Sequence, residues 1–136
     1  MAGSWSDYLE NEMLDHVFGG ADYARPATVY VALFTADPSD AGGGTEVSAV
    51  GTAYARVAVT NNATNWPAAE SGSKANGTAI EFPEATDDWG TCTAFGIFDA
   101  ETEGNLLCWG ELTVDKAASA GDTLKFAIGD LVITQD

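Results

Sequence analysis

Carboxylates are the groups best supplied for chemistry in this sequence. Asp37, Asp40 and Glu46 fall in one loop, and Glu84, Asp87 and Asp88 fall in another. Two acids held at a fixed separation across a sugar would make a glycosidase. Clustered loop carboxylates also suit a hard cation such as calcium. Neither group follows the EF-hand spacing, and acid pairs arise by chance in a chain with 21 acidic residues. Other chemistries lack their parts. His16 is the single histidine, so sites of two or three histidines are excluded, and no serine or cysteine motif accompanies it. There is no G-x-S-x-G, Walker loop or Rossmann fingerprint. Gly42-Gly43-Gly44 has no following lysine and no helix to present amides to a phosphate, so it reads as a flexible turn. No catalytic residue, metal ligand or cofactor is assigned.

Two further side-chain sets invite a function. Cys92 and Cys108 lie on the two arms of an expected hairpin whose turn is 99–104. Antiparallel pairing about that turn sets Cys92 opposite about Glu111 and Cys108 opposite about Phe95. The sulfurs are then too far apart for a disulfide, and two free, partly buried thiols are expected. Trp66, Trp89 and Trp109 could form a sugar-stacking platform. Trp109 alternates with Leu107 and reads as core, while Trp89 reads as an anchor at a strand entrance. Trp66 either folds back as a lid on the domain or stands exposed as a contact residue.

The elements that must position these residues are mostly strands. The run 28–34 is apolar on both faces: Val29, Val31 and Leu33 on one, Tyr30, Ala32 and Phe34 on the other. It should be a central strand covered on both sides. Asp37-Pro38-Ser39-Asp40 then makes a tight turn, with Pro fixing φ and the Asp side chains bonding nearby amides. Further strands are expected at 53–60, 78–82, 91–98, 105–113, 122–127 and 130–134, the last two as one bulged strand in an alternative arrangement. The segment 61–77 is the longest irregular stretch, and such loops are usually functional or mobile. Ahead of the strands, 4–18 reads as the one helix, with Ser4 and Asp7 as a weak capping box and Gly19-Gly20 as its stop. Trp5, Tyr8, Leu9, Met13 and Val17 form its apolar stripe, which packs on an open sheet face or meets a neighbouring subunit. The expected fold is all-β: one domain over 1–136, an antiparallel β-sandwich (jelly-roll-like) over 27–136 with a short N-terminal α-helix.

Composition narrows the partners. A chain of 136 residues with 46 % hydrophobic content can bury a core. No apolar run approaches the roughly 20 residues that span a bilayer. The opening MAGSWSDYLENEMLDHV has neither a basic nor a continuous apolar region of a secretory signal. Acidic residues outnumber basic ones 21 to 5, for a formal charge of −16. Such a surface repels phosphate backbones and anionic lipid, so neither nucleic acid nor membrane is an expected partner. The acidity serves solubility, as in a saline habitat, or it marks a docking face for a basic partner or cations.

Several segments resemble a family of small proteins from tailed bacteriophages and prophages, labelled tail fibre or tail-fibre-like. They are Leu14-Asp15-His16 with Gly19-Gly20, PATVYVALFTADPSDAGGGTEVS, YARVAVT, FPEATDDW, FGIFDAETEGNLLCWGELT and AGDTLKFAIGDLVIT, in that order. Together they cover most of the chain outside 61–77. The resemblance implies a virion structural protein, assembled in the bacterial host cytoplasm, with no catalytic residues to transfer. It does not fix the place on the particle: the expectation is a tail or tail-fibre-associated protein making subunit–subunit contacts, the alternative a capsid decoration (cement) protein. The second alternative, read from the tryptophans, is a carbohydrate-binding module. Expected partners are other virion proteins, further copies of the chain and host-surface glycan. Trp5, Leu9, Met13 and Trp66 are the expected contacts, and Asp37, Asp40 and Glu46 an outward acidic turn. Replacing Asp40 and Glu46 together should then change little unless a cation binds there.

Overall fold

The apolar run after Pro26 forms the middle of a sheet. In the computed structural model, which describes residues 3–135, it is strand β2 (Thr28–Ala36). The other strands are β1 (Gly3–Trp5), β3 (Thr45–Glu46), β4 (Val57–Thr60), β5 (Ser73–Ala75), β6 (Ile80–Glu81), β7 (Gly90–Phe98), β8 (Leu106–Ala118), β9 (Lys125–Phe126) and β10 (Val132–Thr134); helix α1 spans Asp7–Val17. A six-stranded sheet runs in the order β1-β8-β7-β2-β3, with β4 also paired to β2. Every pairing is antiparallel. β5 with β10 and β6 with β9 form two short ribbons.

The two faces of β2 feed two apolar clusters, as the side-chain alternation of a strand requires. Val29, Val31 and Leu33 join Phe95, Ile97 and Leu107 in the larger one, where residues of the ribbons and their flanks (Ile80, Phe82, Leu131) also pack. Ala32, Phe34 and Ala94 make the smaller one, closed by half-buried Phe98 and Trp109. The fold is therefore all-β and antiparallel. Its second layer is two ribbons rather than one facing sheet.

Several expectations are corrected by backbone bonding. The helix does not begin at Ser4. Gly3–Trp5 is a strand, with Trp5 opposite Cys108, and the cap is Ser6, whose Oγ accepts from the Leu9 amide at 3.1 Å. Ser6 also donates to the Leu106 carbonyl, which ties the helix start to β8. The strand expected at 53–60 begins only at Val57. Ala53 sits at φ 62°, and Tyr54 and Arg56 are engaged with Glu46 instead. The irregular stretch 61–77 contains β5, and β9 and β10 belong to different ribbons. β8 runs on to Ala118.

Two bulges change the hairpin register. Opposite β7, Cys108 pairs with Ile97 rather than Phe95, and Cys92 with Lys116 rather than Glu111. An extra residue near Leu107 and the excursion 112–115 opposite Thr93 produce the shift. Bulges of this kind re-aim side chains, which is why Cys92 joins Phe95 and Ile97 in the same cluster despite its odd spacing from both. Both thiols are buried and free.

Candidate functional site

Trp5, Leu9 and Trp66, far apart in the chain, meet around one surface cleft of about 460 Å³. The pairing of β1 with β8 puts Trp5 at the sheet edge, and the Ser6 cap starts α1 so that Leu9 faces the same hollow. Trp66 arrives from the segment after β4, which is closely tied. Its amide donates to the Asn62 carbonyl at 2.9 Å. Asn62 Oδ1 accepts from Thr64 and Asn65 at 3.1 and 2.9 Å, and Gly77 N donates to the Asn65 carbonyl at 2.7 Å. A Cβ on Gly77 would lie 2.3 Å from the Thr64 carbonyl oxygen, so this approach requires glycine. Lys74 Nζ closes the loop with bonds to the carbonyls of Trp66 at 3.2 Å and Pro67 at 2.7 Å.

Charge is segregated here. The lining includes Arg25 and Lys74 but no aspartate or glutamate, in a chain with only 5 basic residues. Arg25 is exposed and has no hydrogen bond or ion pair among the described residues. Cys108 lies in the wall, and burial pushes its thiol up to about 12, away from nucleophilic use at neutral pH. Trp66 itself is only 6 % exposed, and its indole N–H is buried without a partner. Of its two expected placements, the lid is the one the burial matches. Met13 is half-buried on α1 and does not line the cleft. Beyond it, Leu14, Val17 and Phe18 project outward, 57, 63 and 75 % exposed.

The acidic trio is split rather than gathered on an outward face. Asp37 is exposed and accepts from Thr93 Oγ1 at 2.6 Å. Asp40 accepts from the Ser4 hydroxyl and from Trp109 Nε1, and its carbonyl accepts from the Asp7 amide at 2.8 Å. The Ser4 and then the Trp109 hydrogen bond hold its carboxyl below the usual range. Glu46 turns inward. Arg56 grips it through Nε at 2.9 Å and Nη2 at 2.8 Å, and the Tyr54 hydroxyl donates to it at 2.6 Å. Burial, and next the Glu46 carboxylate, push the Tyr54 phenol up. Asp40 and Glu46 thus serve as internal ties. Among the described residues no three or more His, Cys, Asp or Glu side chains gather as a metal site.

The tryptophans do not form a platform. Trp89 is buried, with its Nε1 donating to the Thr52 carbonyl at 2.9 Å, and Trp109 lies half-buried over the smaller cluster. Arg25 and Lys74 escaped sequence reasoning. The scarcity of cations, with one placed directly before Pro26 at the start of the central strand, was the signal that could have found them.

The described residues thus make a strand-built scaffold with an apolar cleft rimmed by Arg25 and Lys74. Residues 4–134 match the family described as Podophage GP4 fiber I protein gp80, and the chain belongs to that family. No curated protein matches. Family membership makes it a structural component of a phage virion.

Proposed function

We propose that this chain is a non-enzymatic part of the phage tail, fibre-associated, which joins neighbouring virion subunits through the cleft. The supporting observation is the convergence of Trp5, Leu9 and Trp66 on one hollow, in a chain whose α1 also bears an outward apolar face. Trp5 and Leu9 offer the accessible surface, and buried Trp66 sets the wall behind them. Assembly takes place in the host cytoplasm from folded chains.

The test is gold-labelled antibody against this protein on purified virions, viewed by electron microscopy. Label along the tail or at its tip is the expected result. Label spread over the head would replace the tail assignment by a decoration role. No label on intact particles would sink the virion-contact reading. Trp66→Ala would not isolate glycan binding, because a buried tryptophan costs about 3–5 kcal/mol of stability when truncated.

A further inference from the structure

We infer that the cleft receives the outward face of α1 from a second copy of the chain, in a head-to-tail contact. This rests on the proposed contact role and names its occupant. Two surfaces on the same molecule are complementary. The cleft is apolar, rimmed by the cations Arg25 and Lys74, and free of carboxylates. The outward face of α1 is apolar at Leu14, Val17 and Phe18, with spacing i, i+3, i+4, and carries Asp15 beside them and Asp22 just beyond. The helix has no lysine or arginine; its one basic side chain, His16, lies 4.0 Å from Asp22, which leaves Asp15 as the main carboxylate of this face.

Electrostatics select the site. Two chains of formal charge −16 repel over most of their surfaces. The hollow beside Asp7 and Asp40 would worsen that repulsion. The cleft beside the β8 excursion mixes Lys116 and Lys125 with Asp130. Only the Trp5 cleft, of these three, offers an acidic apolar helix cations without opposing acids. Arg25 is already unpaired and so loses no internal bond on meeting a neighbour's carboxylate. Because the two surfaces differ, the contact is heterologous. Repetition then builds a ring if the rotation closes and a filament if it does not.

Two variants of the full chain test this by sedimentation velocity over a concentration series. Phe18→Asp spoils the helix face and leaves the cleft. Arg25→Glu spoils the cleft and leaves the helix. Both positions are exposed, so melting curves should match the parent. The parent should self-associate, and each variant should do so about tenfold more weakly or worse. An equimolar mixture of the two variants should form a 1:1 dimer that grows no further, since one good helix face meets one good cleft. A parent that stays monomeric overturns the inference, as does association indifferent to both changes. A mixture no larger than its separate components also overturns it. These outcomes are independent of the label position on virions: a monomeric parent leaves the tail assignment standing, and unlabelled particles leave a measured oligomer standing.

Discussion

Glu46 shows how a residue's surroundings reverse its apparent role. In sequence it is one more loop acid. In the fold it neutralises Arg56, whose side chain is 7 % exposed. The same guanidinium lies 3.7 Å from the Phe98 ring centroid and bonds the carbonyls of Ala100 and Glu103 at 2.9 and 2.8 Å. One arginine therefore fastens β3 to the turn between β7 and β8. Removing its counter-charge leaves a buried, unpaired cation, so Glu46→Ala should cost about 3–5 kcal/mol in urea unfolding. A loss below about 1 kcal/mol, the range of an exposed pair, would mean the pair is dispensable. The expectation that Asp40 and Glu46 could be replaced together without consequence fails on this geometry. Asp40 supplies a pH test. Its carboxyl is held below the usual range in the folded state, so its contribution is present above the unfolded pKa and is lost as pH falls through the folded one. The Tm gap between the parent and Asp40→Asn should be full near neutrality and close in strongly acidic buffer. A gap unchanged by pH would refute this assignment.

Among the elements, the β2–β7 pairing depends on a missing side chain. A Cβ on Gly96 would stand 2.7 Å from Phe34 and 3.0 Å from Leu106, in the space that lets Phe34 and Phe98 stack at 6.2 Å. Gly96→Ala should destabilise by about 1–3 kcal/mol through overpacking, measurable by thermal melts. Phe34→Leu in the same chain should recover part of the loss. Full stability of the single variant would contradict the tight packing. The sheet class and β2 were legible in the sequence because a short run apolar on both faces, bounded by turn residues, fits a covered central strand and little else. β7 and the turn after it were legible through alternation broken by Asp99 and Gly104. β1 was not, since Trp5 fits a helical stripe as well as a strand, and only its pairing with β8, formed across the whole chain, decides. The cleft was half legible. Trp5, Leu9 and Trp66 carry apolar area that demands contact, whereas Arg25 and Lys74 gain meaning only once no acid is found beside them. The bulges that set the cysteine register leave no local mark.

For the whole molecule, the charge of −16 is a standing self-repulsion. Raising salt from about 10 mM to 150 mM shortens the Debye length from about 30 to 8 Å, so the Tm should rise and then level off. Calcium at matched ionic strength should do no more than sodium. A large extra rise with calcium would restore a cation site. The bond between Ser6 and Leu106 joins positions 100 residues apart, and the Ser6 amide reaches Leu107 as well. Closing so long a loop comes late, after the nearer pairings of β2, β7 and β8 have formed. Pulsed hydrogen exchange during refolding should therefore show the Ser6 amide protected after those of β7. The wall of the cleft is thus among the last parts to form, since β1 and the helix start have nothing to pair with until β8 has been made.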